Sequence, residues 1–177
     1  MRVLILGIDG YIGWPLALRL AKGNEICGID NFSRRDHVKE MDSDSAIPIL
    51  SMEKRIKMLE EKFDKKTSFY KGDLLDAKFT DNIIKKFKPD VIIHLAEQPS
   101  APYSMMDQEH NIYTQKNNVI GTLNVIHSIQ RHVPKSHLVK LGTMGEYGYD
   151  PGLEIPEGFY EIEFRGKKAR VPYPRLA

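Results

Sequence analysis

Val3-Leu4-Ile5-Leu6-Gly7-Ile8-Asp9-Gly10-Tyr11-Ile12-Gly13 passes from four apolar residues into three glycines spaced G-x-x-G-x-x-G. The unbroken apolarity of Val3 to Leu6 predicts a strand buried on both faces of a parallel sheet. Trp14, Leu16, Ala17, Leu18 and Leu20 follow at helical spacing, and Gly23-Asn24 stops the helix. Glu25 to Ile29 is a second short strand, and Asp30 ends it. The glycines therefore lie where a strand turns into a helix. There the backbone must turn tightly, and a helix N-terminus offers free N–H groups and partial positive charge. Gly7, Gly10 and Gly13, with Tyr11 and Ile12 between them, are the candidate pyrophosphate cradle of a dinucleotide. Asp30 stands where this fingerprint places an acid for the adenosine ribose hydroxyls, which favours NAD over the 2′-phosphorylated NADP.

Beyond Asp30 the strand–helix alternation continues. Residues 31–66 are polar and irregular, with one charged helix near Met52 to Lys62; they form either a functional insertion or a solvated surface one. Thr67 to Tyr70 reads as a strand, Asp76 to Phe87 as a helix, and Val91 to His94 as the next strand. A long helix is expected from about Asp107 to Arg131, with Val119, Leu123 and Ile126 on one face, and then a strand from Leu138 to Leu141. The pattern predicts an α/β fold, a Rossmann-like doubly wound parallel sheet. After Gly148 the character changes, and Tyr160 to Val171 reads as a hairpin around Arg165-Gly166. The expected division is a NAD-binding domain over 1–150, with 31–66 as its insertion, and a hairpin with the start of a substrate-binding part over 151–177.

Composition narrows the function classes. The chain has 177 residues, 41% hydrophobic and 28% charged, as a folded globular chain does. A formal charge of +2 gives no reason to expect nucleic acid or an acidic membrane as partner. One cysteine, Cys27, excludes an internal disulfide and a cysteine-based zinc site, and no second histidine stands at metal spacing from His94, so no metal is expected. With no leader-like segment before the first strand, a cytoplasmic location is expected.

Several residues carry alternatives. Arg34 and Arg35 can clamp a pyrophosphate, receive a 2′-phosphate, or lie in solvent. Asp73 suits a contact with the adenine amino group or an N-cap for the following helix. His94 ends the fourth strand and reads as structural.

Taken together, Gly7 to Gly13, Asp30, Gly72-Asp73, His94-Leu95-Ala96, Asn117 to Thr122 and the Thr143 to Gly148 loop resemble an extended short-chain dehydrogenase/reductase acting on a nucleotide-sugar. Within that superfamily, Glu97-Gln98-Pro99-Ser100-Ala101-Pro102-Tyr103-Ser104-Met105, Tyr113 to Asn118, Leu138 to Gly148 and the double arginine in the long insertion resemble the UDP-sulfoquinovose synthase family. The resemblance implies NAD-dependent conversion of UDP-glucose and sulfite to UDP-sulfoquinovose through a 4-keto-5-ene intermediate, and a homodimer at full length. It implies that Thr143 bonds the sugar O4, that Glu146 is an acid or base or pairs with a neighbour, and that Gln98 and Tyr103 face substrate. It adds Asn31, Leu74, Leu95 and Asn117 to the cofactor-binding set, with Asn118 competing for the role of Asn117.

The sequence also departs from the pattern. Pro99 stands where the family commonly has Arg. Met144 and Gly145 replace the Asp and Glu that follow this Thr in sugar 4,6-dehydratases. The superfamily's Tyr-x-x-x-Lys pair is absent, since Tyr113, Tyr147 and Tyr173 have Asn117, Pro151 and Ala177 four places on. The expectation is a chain that stops just short of that helix. The alternatives are an NDP-sugar 4-epimerase or 4,6-dehydratase, or an NAD-binding module without turnover.

Overall fold

The computed structural model describes residues 1–142 and 159–172. The expected strand–helix alternation forms β1 (Arg2–Leu6), α1 (Gly13–Leu20) and β2 (Glu25–Asp30), then α2 (Ser33–Glu40) and α3 (Met52–Phe63). It continues as β3 (Thr67–Lys71), α4 (Ala77–Phe87), β4 (Val91–His94), α5 (Ala101–Ser104) and α6 (Gln108–Gln115). A π-helical turn (Lys116–Ile120), α7 (Gly121–His132) and β5 (His137–Lys140) complete the first compact unit, Met1–Lys140. Its five strands are parallel and ordered β3-β2-β1-β4-β5, the doubly wound arrangement.

β1 lies at the centre of this sheet, and its alternating side chains seed a core on each face. Leu4 and Leu6 join Cys27, Ile29 and Ile92 under Leu74, Ile83, Ile84 and Val125 of the β3–α4 connection, α4 and α7. Val3 and Ile5 join Ile8 and Ile26 under Ala17, Ala21, Met52 and Leu59 of α1 and α3. Both faces are covered, which is why β1 reads as a continuous apolar run.

The helices start and stop on local signals. The Asp76 carboxylate accepts the N–H groups of Lys78 and Phe79 at 3.0 Å and caps α4, and Lys88 ends the helix in the left-handed conformation ahead of Pro89. Ser51 caps α3. The expected long helix over 107–131 is present in substance, but the π turn widens it at Lys116–Ile120. Such a turn shifts the angular position of the residues on either side.

Two helices lie where the sequence reading expects none. α2 is so polar that no apolar stripe announces it; tertiary contacts hold it, chiefly Arg35 on Asp9 and buried His37 against Tyr103. α5 is one short turn capped by Ser100. β5 ends at Lys140, one residue before the expected end.

In the second unit, Leu141–Ala177, the described residues form the expected antiparallel hairpin, β6 (Phe159–Phe164) with β7 (Lys167–Pro172). Arg165 and Gly166 have φ of 53° and 74°, so the turn has the twist that suits a two-residue hairpin. The expected boundary at residue 150 lies outside the described residues. Among those described, no helix is long and apolar enough to cross a membrane.

Ile92 is fully buried in the core that α4 and α7 cover. Ile92→Ala is expected to lower stability by about 2–5 kcal/mol, read as a lower urea midpoint at unchanged m-value.

Candidate dinucleotide site

The site forms at the carboxyl ends of β1, β2 and β4, where the sheet reverses its strand order. Gly7 turns the chain out of β1 at φ 83°, and its N–H donates to the Ile29 carbonyl at 2.8 Å. A Cβ at Gly7 would lie 2.8 Å from the Ala96 nitrogen, so a side chain there would push the loop off the end of β4. A Cβ at Gly13 would overlap the Gly7 carbonyl oxygen and come within 2.9 Å of the Ile8 Cα. Both obstacles are backbone, and only glycine lets α1 begin this close to the strand end. Tyr11 is 95% exposed, and the N–H groups of Tyr11 and Ile12 donate to no group among the described residues. The loop thus presents unused amides and the positive end of α1 to solvent, an arrangement suited to a pyrophosphate.

Asp30 stands at the edge of this cradle. One carboxylate oxygen accepts the Asp9 N–H and the other the Phe32 N–H, both at 2.8 Å, which fixes the group and leaves a lone pair on each oxygen for a ribose hydroxyl. Burial pushes its pKa up, and the Phe32 N–H and the Arg35 charge oppose that shift. Asn31 donates to Asp73 at 2.9 Å and accepts the Ser33 N–H, while Asp73 accepts the Leu75 N–H at 2.8 Å. Asp73 is therefore not the N-cap of α4, since Asp76 fills that role. Asn124 of α7 holds the Leu74 carbonyl at 2.8 Å, which fixes the backbone on that side.

Sequence reasoning missed the residue that holds the loop. The Asp9 carboxylate accepts Nε–H and Nη2–H of Arg35 at 2.6 and 2.7 Å, and it also pairs with Nη2 of Arg55. The Asp9 and Arg55 side chains are each 6% exposed, and the Arg55 guanidinium lies 4.7 Å over the Trp14 ring. Burial pulls the Arg55 pKa down. The signal was present in α3, where Met52, Arg55 and Leu59 share one stripe, so that an arginine occupies an apolar face. Arg35 is thus committed to the loop, whereas Arg34 is exposed.

Beyond β4, Leu95 packs on the core beneath α1 and α3. Asn118, in the π turn, accepts the Gln98 N–H at 2.9 Å and donates to the Gln98 carbonyl at 3.0 Å, as a paired strand would. Asn117 donates to Asn118 at 2.9 Å and to the Ala96 carbonyl at 3.4 Å. The Gln98 amide is buried and spans Ser100 and Thr114, so both its ends are engaged within the loop. Tyr103 is buried as well, stacked on His37 at 4.2 Å. Thr143 and Glu146 lie outside the described residues.

His94 is fully buried, with Nε2 3.1 Å from the Thr122 hydroxyl. That hydroxyl donates to the Asn118 carbonyl at 2.7 Å, so the ring must carry its proton on Nε2. Nδ1 has no hydrogen-bond partner among the described residues. Burial and the Lys140 charge push the pKa down to about 4. Among the described residues no group of three His, Cys, Asp or Glu could hold a metal ion.

Comparison with known proteins shows the family and the fold. The sequence pattern described as "NAD dependent epimerase/dehydratase family" matches residues 3–175. The chain is 48% identical to UDP-sulfoquinovose synthase of Sulfolobus acidocaldarius over 179 aligned residues, covering all of this chain and 45% of that protein. It is 45% identical to the chloroplastic UDP-sulfoquinovose synthase of Spinacia oleracea, covering 99% of this chain and 36% of that protein. The chain thus spans less than half the length of either relative. In fold it resembles UDP-glucose 4-epimerase from Bifidobacterium longum, solved with NAD+ and UDP, at a TM-score of 0.65 and 20% identity, over 88% of this chain and 41% of that one.

A Gly13→Val variant is expected to bind NAD at least about 10-fold more weakly than the parent, read by calorimetric titration, because α1 must withdraw from the loop. His94 is neutral when folded, so its contribution is complete above its ordinary value of 6.5 and is lost as pH falls toward about 4. Unfolding free energy should drop across that window by up to roughly 3 kcal/mol more in the parent than in His94→Gln, read by urea titration at each pH.

Proposed function

The chain belongs to the NAD dependent epimerase/dehydratase family, and on that premise we propose that it is the cofactor-holding part of a UDP-sulfoquinovose synthase, which makes UDP-sulfoquinovose from UDP-glucose and sulfite. The observation that carries this reading is near-half identity running end to end with two synthases of that name. The aligned span covers the 97–105 run, which the resemblance assigns to the substrate side of the site.

The residues present fit NAD. The glycine loop leaves a cradle that a Cβ at Gly7 or Gly13 would disturb, and the amides of Tyr11 and Ile12 are available to a pyrophosphate. Asp30 binds the adenosine ribose hydroxyls. Asp73, steadied by Asn31, binds the adenine amino group between Leu74 and Leu95. A 2′-phosphate would meet the Asp30 carboxylate, and Arg35 and Arg55 are already held by Asp9. This supports NAD over NADP. NAD, when bound, supplies the hydride acceptor for C4 of the sugar.

The chain's own work is placement and proton transfer. Asn117 steadies the nicotinamide side through its bond to the Ala96 carbonyl. Gln98 shapes the 97–105 loop from within, since both ends of its amide are taken up there. Thr143 holds the C4 hydroxyl, and Glu146 moves a proton at C5 or C6. The Tyr-x-x-x-Lys pair that the superfamily resemblance implies for taking the C4 proton is absent from these 177 residues.

Full-length protein supplied with NAD, UDP-glucose and sulfite should form UDP-sulfoquinovose, detected by mass spectrometry. Sulfite-independent formation of UDP-galactose would instead favour a 4-epimerase, and no turnover of UDP-glucose would contradict both. In the same protein, Asp30→Ala should weaken NAD binding by about 10-fold, the equivalent of one hydrogen bond to a charged group.

A further inference from the structure

One side chain joins the insertion to the run that follows β4. His110 in α6 has Nδ1 2.7 Å from Asp107 Oδ1 and Nε2 2.9 Å from Glu40 Oε1. A neutral imidazole carries one N–H. Two ring nitrogens that both face carboxylates are therefore both donors, which makes the ring an imidazolium. Asp107 is the N-cap of α6 and also accepts the His110 N–H at 3.0 Å, so it is fixed in place. Glu40 is the last residue of α2, 70 positions away in the chain.

The surroundings make this contact a joint between elements. Tyr103 of α5 lies edge-on to His110 at 4.7 Å and stacks on His37 of α2 at 4.2 Å, and burial, with the Glu40 charge near it, pushes its pKa up to about 12. Tyr113 of α6 meets His37 edge-on at 5.0 Å. The groups that face the joint are thus Glu40 and His37 of α2, with Arg34 and Asp36 further along it, Tyr103 of α5, and Asp107 and Tyr113 of α6. Its carboxylates are about half exposed, while the His110 side chain is 14% exposed.

We propose that His110 is a positioning residue: as an imidazolium shared by Glu40 and Asp107, it latches α2 onto α5 and α6, and so ties the placement of residues 97–105 to its own protonation. Deprotonation removes one of the two donors, and one of the two carboxylates is then left facing a lone pair. The two carboxylates raise the His110 pKa above its ordinary 6.5, so the latch is complete below that value and is lost as pH rises through the raised one. Burial lowers the pKa of His37, opposite in direction to the shift at His110.

The test is hydrogen exchange of α2 in the full-length protein, expressed as protection factors at about pH 6 and about pH 9, on either side of the transition. Parent protein should lose protection in α2 by about fivefold at the higher pH, the ratio expected for a partly exposed charged pair. His110→Arg, which keeps the charge, should hold its protection at both values. His110→Gln should show the reduced protection at both. Equal protection of the parent at the two pH values would overturn the proposal. So would loss of protection in both variants alike, because the ring would then act by packing alone.

The effect on substrate rests on the function proposed above. If that function holds, KM for UDP-glucose should rise with pH in the parent and stay flat in His110→Arg, with kcat unchanged between them. The exchange result stands or falls without turnover, so failure of the latch and failure of the synthase reading are distinguishable.

Discussion

A buried carboxylate costs several kcal/mol unless opposite charges and hydrogen bonds meet it. Asp9 is such a carboxylate, placed inside the glycine loop and met by Arg35 from α2 and Arg55 from α3. Neither helix belongs to the minimal strand–helix–strand unit; both come from the long insertion. Their arginines reach the loop from one side, while Asp30 takes the Asp9 N–H from the other. The loop is therefore held from both ends of one residue. Removing the Asp9 carboxylate would leave Arg55 buried, with only the face of Trp14 against its charge. A pair of this kind adds little net stability compared with an apolar substitute. What it does is fix the insertion relative to the loop, and α3 in turn buries Met52 and Leu59 against β1 and β2.

The same insertion reaches the far side of the site through α2. Its buried His37 meets Tyr113 edge-on and lies under Tyr103, and its last residue meets His110. On that side the order is set by polar pairing. Asn118 pairs with the Gln98 backbone, and Gln98 in turn holds Ser100 and Thr114. Buried polar networks of this type specify geometry because each unpaired member would be costly. The π turn at Lys116–Ile120 carries Asn117 and Asn118 to the Ala96 and Gln98 backbone, and α6 and α7 continue on either side of it. The glycine loop and the 97–105 run are thus positioned by separate contacts of one insertion, so 31–66 has a structural role at both.

The parts of this arrangement that could be read in the sequence are those with a local cause. An apolar run, glycines at a turn and an acid at the next strand end follow from backbone geometry and burial, so β1, the loop, β2 and Asp30 were all legible. The Arg165-Gly166 hairpin was legible for the same reason. α2 was not, because its residues carry no apolar period and its helix depends on partners up to 70 positions away. Asp9 carries no such signal, since nothing in a linear reading joins it to Arg55, 46 positions on. Asp73 left two roles open, and the neighbouring Asp76 settled which of them it does not have. Gln98 and Tyr103 were read as facing substrate, yet their side chains are buried against α2 and α6, a placement that only tertiary structure determines.

In the proposed arrangement the glycine loop and Asp30 form one NAD site, held in register by Asp9. The most direct measurement is a crystal structure of the full-length protein with NAD. The adenosine ribose hydroxyls should lie on the Asp30 carboxylate and the pyrophosphate on the amides of Tyr11 and Ile12, with Asp9 still paired with Arg35 and Arg55. A dinucleotide whose phosphates lie away from the glycine loop, or whose binding draws Arg35 off Asp9 onto a phosphate, would contradict it.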